Sequence, residues 1–175
     1  PTGAPYKAVV YVMFGGGCDS FNMLVPHSGC VQNDNMTLWD EYVGIRQDIA
    51  LDHADLHVLN PVDNQACDTF GVQPMLSSVQ QMFNDGDLLF FANTGVLTVP
   101  TDRENYWRDT VTQLFAHNWM QLAAQRIDPL KAEDATGVLG RIRDVLTKKD
   151  LSVGAFSLNV NSISLIGEPG LTVRL

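Results

Sequence analysis

Gly15-Gly16-Gly17-Cys18-Asp19-Ser20-Phe21-Asn22 is the stretch of this sequence best equipped for chemistry. A carboxylate just past a glycine turn can hold a hard cation. It can equally cap the helix that follows. Gly16 and Gly17 allow positive φ and a close approach of backbone to a ligand. Cys18 sets a thiol beside the carboxylate, a nucleophile if its pKa is lowered. Asn22 adds an amide to the same turn. The apolar residues 8–14 precede the glycines and read as a buried strand. In open α/β sheets ligands bind outside the carboxyl ends of such strands, which is where Gly16, Gly17, Cys18, Asp19 and Asn22 would line a site.

Other candidates are more dispersed. His27, His53 and His57 sit in polar segments. They are either solvated loop residues or, with Asp52 and Asp55, a metal cluster. Thr94 follows a second apolar run, residues 87–94, and would edge a site at that strand's end.

The elements that must position these groups are legible as periodicity. Residues 7–14 read as a buried first strand, and residues 87–94 as a second, apolar without alternation, as in parallel strands covered on both faces. Between them, residues 73–84 carry Met75, Leu76, Val79, Met82 and Phe83 on one helical face, with Pro74 in the first turn and Gly86 just past the end. Strand, helix, strand implies a right-handed crossover. Residues 37–48 predict a helix capped by Thr37 with Asp40 or Glu41. Leu56, Val58 and Leu59 predict a short edge strand, and residues 20–24 a helical turn. Further helices are expected over 101–107, 114–127 and 136–147, and strands over 156–158 and 162–166. Residues 171–175 read as extended, which gives the expectation that the natural domain continues. The fold class implied is a three-layer α/β domain with a mostly parallel sheet, one domain over residues 1–175.

Charge narrows the partners. Twenty acidic residues against 11 basic ones give a net charge of −9 over 175 residues. Nucleic-acid binding needs a basic footprint, so it is excluded as an expectation. No run of 18 apolar residues offers a transmembrane segment. The cysteines are Cys18, Cys30 and Cys67, with no C-x-x-C spacing for a zinc ribbon. A Cys30–Cys67 disulfide would need an oxidising compartment. The chain opens on Pro1 rather than Met, consistent with removal of an export segment.

Several segments, in order, resemble the DUF1501 family, distant relatives of the sulfatase and alkaline-phosphatase superfamily. They are Gly16-Gly17-Cys18-Asp19 with Asn22 and Val25-Pro26, then Phe70-Gly71-Val72-Gln73-Pro74 with residues 88–95. Pro100-Thr101, Tyr106, Gln113-Leu114-Phe115-Ala116-His117-Asn118, Gln121, Thr136-Gly137 and Gly140-Arg141 follow, then Ile163-Ser164-Leu165-Ile166-Gly167. The resemblance implies a metal-dependent hydrolase of phosphate or sulfate esters, exported from the cytoplasm. It makes Asp19 and His117 metal ligands and places Asn118 beside them. A divalent cation of unspecified identity would polarise an ester oxygen. Ala116 stands where the family often carries serine, and alanine cannot be a nucleophile. Superfamily sites also draw Asp and His ligands from a later half of the fold, so these residues supply part of a site. The alternatives are a non-catalytic subunit of a larger extracytoplasmic assembly, with protein partners, and a generic α/β binding domain.

Overall fold

The computed structural model describes residues 6–33, 35–62, 64–131, 136–158 and 162–169. They divide into two units, residues 18–94 and residues 1–17 with 95–175. The architecture is mixed α and β, with a small antiparallel sheet.

Residues 18–94 begin with a 3-10 turn, Ser20–Asn22, and strand β1, Leu24–Ser28. A hairpin of β2 (Gln32–Asn33) and β3 (Met36–Thr37) leads into helix α1, Leu38–Arg46. Two 3-10 turns, Gln47–Ile49 and His53–Asp55, precede β4, His57–Leu59. β5 (Thr69–Val72) and α2 (Ser77–Asn84) complete the unit. β5 lies between β1 and β4, antiparallel to both. Val25 pairs with Gly71, and Leu59 with Phe70. Pro26 offers no N–H to a ladder, so its strand belongs at an edge, and β1 is one. Central β5 carries Gly71 because a Cβ there would stand 2.7 Å from Leu56 Cδ1. Leu56 thereby packs down onto the strand. It joins Val25 and Tyr42 in a core extended by Trp39, Ala50 and Leu51.

Helix α1 starts at a reciprocal cap. Asp40 N–H donates to Thr37 Oγ1 at 3.1 Å, and Thr37 N–H donates to Asp40 Oδ2 at 3.1 Å. The Thr37 hydroxyl, donating to Asp40 Oδ2 at 2.7 Å, and then the Thr37 N–H hold the Asp40 carboxyl below its usual pKa. Cys30 and Cys67 form a disulfide between positions 37 residues apart. Val31 N–H to Ala66 O, 2.8 Å, and Asp68 N–H to Gly29 O, 3.3 Å, flank it.

The second unit is helical among its described residues: α3 (Tyr106–Asp109), α4 (His117–Arg126), α5 (Val138–Thr147) and a 3-10 turn, Ile163–Leu165. The turn packs on α5. Gly137 N–H donates to Ile166 O at 2.7 Å. Asp144, buried beside Arg143, accepts from Glu168 N–H at 2.7 Å. Arg141 reaches back to the carbonyls of Arg126 and Ile127, which end α4.

Several expected elements are absent. Residues 7–14 form no strand, and Val9 is 76% exposed. Residues 87–94 form no strand, and Phe91 is 79% exposed. The described strands pair antiparallel, so no right-handed parallel crossover forms among them. Apolar runs favour burial, but a strand exists only against a neighbour that completes its hydrogen bonds. Residues 156–158 are likewise not a strand, and the 162–166 segment is a 3-10 turn with Ser164 buried. Residues 171–175 lie outside the described residues.

The disulfide generates a test. In the chain-entropy account, closing a loop of this length stabilises the fold by about 4 kcal/mol. Replacing both Cys30 and Cys67 by serine is expected to lower unfolding stability by about that amount in a urea titration. A loss well below about 1 kcal/mol would mean the bridge adds little to the folded state.

Candidate functional site

The glycine turn exists as a turn. Gly17 N–H donates to Phe14 O at 3.1 Å, and Gly16 and Gly17 sit at φ 87° and 103°. No atom stands within 4 Å of where their Cβ atoms would be. The glycine requirement here is therefore conformational, not a close approach of other groups. Cys18, next along, carries an exposed free thiol.

Asp19 does not cap the 3-10 turn through its side chain. Its carboxylate instead forms an ion pair with the Arg46 guanidinium, delivered from the last turn of α1. Arg46 also lies over the Phe21 ring, 5.9 Å from its centroid. Asn22 faces inward: its Nδ2 donates to Ile49 O at 2.9 Å, and its Oδ1 accepts from Tyr42 Oη at 2.7 Å. Tyr42 Oη in turn accepts from Leu51 N–H at 2.7 Å. The amide of Asn22 is thus committed to holding the turn against α1 and the segment after it.

Asp19 and Asn22 line an open cleft of about 350 Å³ in residues 18–94. Met23, Leu51, Met75 and Leu76 supply its apolar wall. Gln73 completes it, with its Oε1 accepting from Met75 N–H at 2.6 Å.

A second polar feature lies at the edge of the sheet. The rings of His27 and His53 stack at 3.7 Å between centroids, and Trp39 meets His53 edge-on at 4.7 Å. His53 Nε2 donates to His27 O at 3.2 Å. His27 Nδ1 lies 2.9 Å from Thr69 Oγ1 and 2.8 Å from Ser28 Oγ. His57 Nε2 donates to Pro74 O at 2.8 Å. These histidines are packing and hydrogen-bonding groups, not solvated loop residues. The sequence groups these histidines as solvated residues or a metal cluster; the stack instead joins two of them 26 positions apart. Arg46 could have been found by counting charge, because it is the one lysine or arginine in residues 18–94.

Thr94 ends this unit and donates its hydroxyl to Phe91 O at 2.9 Å. His117 and Asn118 belong to the other unit, where they begin α4, exposed. Phe115, just before them, is held at φ 64°, a conformation rare for an aromatic residue. Among the described residues no group of three or more His, Cys, Asp or Glu is placed to hold a metal ion. Asp19 offers one carboxylate, and the Arg46 guanidinium already engages it. No family model matches this chain, and no curated protein or solved structure matches it.

The histidine pair has a pH signature. Burial first, then the facing charge of His53, hold the His27 pKa below its usual value. The unfolded chain therefore takes up that proton more readily than the folded one. Its contribution to stability is complete above about pH 6.5 and is lost as pH falls below that. The melting temperature is expected to drop between about pH 7.5 and about pH 5.5, and His27→Gln should shrink the drop. An unchanged drop in the variant would assign it to other groups.

Proposed function

We propose that this chain is a DUF1501-like protein of the sulfatase and alkaline-phosphatase type in which residues 18–94 serve protein interaction and not ester hydrolysis. The ordered motif set supports the family reading. The observation that carries the interaction reading is the state of Asp19. The carboxylate that the resemblance makes a metal ligand is neutralised by Arg46. Charge supports the same conclusion. Residues 18–94 contain 11 acidic residues and one basic residue, for a formal net charge of −10. Phosphate and sulfate esters are anions, and such a field disfavours their approach.

An extracytoplasmic location accompanies this reading. The Cys30–Cys67 disulfide supports it, because such bonds persist in oxidising compartments. No helix among the described residues is long and apolar enough to cross a membrane.

The hydrolase reading makes the opposite prediction, so one preparation decides between them. The purified protein is loaded with zinc, magnesium or manganese, desalted, and its metal content measured beside that of Asp19→Ala. Turnover of p-nitrophenyl phosphate and p-nitrophenyl sulfate is followed in the same samples. We expect no retained metal that depends on Asp19 and no turnover above the buffer rate. Retention of about one ion per chain, lost in Asp19→Ala, would restore the hydrolase.

A further inference from the structure

The charge of this protein is not spread evenly. Residues 18–94 carry a formal −10, while the remaining residues, with 10 basic and nine acidic side chains, carry +1. The same acidic unit holds the open cleft of about 350 Å³. Its two amides are engaged within the protein. The Asn22 amide is bonded to Ile49 and Tyr42, and Gln73 Oε1 is bonded to Met75. A sugar or a nucleotide, which needs several free donors and acceptors, finds few here.

What the cleft does offer is apolar surface. Met23, Leu51, Met75 and Leu76 line it, and Met75 is 83% exposed. Phe21 and Ile49, one and two positions from the lining residues Asn22 and Leu51, are also exposed. Methionine side chains adapt to partners of irregular shape. Asp19 sits on the lining and stays 48% exposed despite Arg46, so its free edge can share a second cation. Asp48 and Asp52 lie within three positions of the lining residue Leu51. Apolar grooves of this kind receive the apolar face of an amphipathic helix, and the acidic field selects the sign of its polar face.

We propose that the Asp19–Met75 cleft docks a basic amphipathic peptide segment of another protein, its apolar side chains against Met23, Leu51, Met75 and Leu76 and its lysines or arginines toward the surrounding carboxylates. This deepens the interaction reading and rests on it. The metal measurement tests that reading separately, so failure of one is distinguishable from failure of the other.

The test titrates the whole protein with a labelled helical peptide of leucine and lysine, read by fluorescence anisotropy. Controls are the same pattern with glutamate for lysine, and an oligolysine of equal charge. Binding of the leucine–lysine peptide is expected at about 10 μM or tighter. Raising salt from about 0.1 M to about 1 M, which shortens the Debye length from about 10 Å to about 3 Å, should weaken it at least about tenfold. The glutamate peptide should not bind. Met75→Gln, on an exposed side chain, should weaken binding about fivefold or more. Met82→Gln, on α2 outside the cleft, should leave it unchanged. Equal affinity for oligolysine, or no effect of Met75→Gln, would overturn the cleft as the docking site. A peptide-free dimer in sedimentation that Met75→Gln dissolves would assign the surface to a second copy and overturn the proposal too.

Discussion

The hydroxyl of Tyr42 is the point on which residues 18–94 turn. The ring is buried in the core beside Val25 and Leu56. Its oxygen takes the Leu51 N–H and gives its proton to Asn22, which reaches on to the Ile49 carbonyl. One side chain on α1 thus ties the turn before β1, the turn after α1 and the core into a single cluster. Each such bond contributes only about 1 kcal/mol net, but leaving a buried partner unsatisfied costs about 1–3 kcal/mol. The network is therefore held as a set. It also decides what Asn22 does. An amide in a glycine-rich turn looks ligand-facing, yet both ends of this one are bound to the protein's own framework.

Asp19 follows from the same arrangement. Once Asn22 is anchored to Tyr42, the preceding residues lie alongside the end of α1, and Arg46 closes on the carboxylate. A lone aspartate in a unit this acidic would repel its neighbours. Pairing it with the unit's single arginine or lysine relieves that repulsion at one place and leaves the other carboxylates to set the field. Exposed pairs of this kind add little to stability. The consequence lies in electrostatics: the cleft faces solvent with apolar walls inside a negative potential.

Sequence reading succeeded where the determining interactions are local. Thr37 and Asp40, three positions apart, announced the start of α1. The apolar stripe of residues 75–83 announced α2, which runs from Ser77 to Asn84, with Gly86 at φ 80° after its end. The pairing of Cys30 with Cys67 was open to inference from three cysteines. It failed where the determinant is distant. The apolar runs at 7–14 and 87–94 state what they would bury but not against what. β5 is four residues with Gly71 inside it, and that glycine is there to admit Leu56, which comes from another part of the chain. The His27–His53 stack depends on β1 and a later 3-10 turn meeting at the sheet edge. Of the site residues, the glycine turn was legible from composition. The occupation of Asp19 and Asn22 was not, because Arg46 and Tyr42 arrive from another element.

The Cys30–Cys67 bridge also has a mechanical side. A tether pulling on residues that flank it transmits force through sulfur and bypasses the chain between. At about 3.5 Å per extended residue, about 130 Å of contour stays hidden while the bond is intact. That hidden length includes α1, β4 and most of the buried core. Under load, an oxidised chain yields only its outer segments, whereas a reduced one pays out the Tyr42 cluster as well. The redox state of one bond thus sets how far this protein can be stretched.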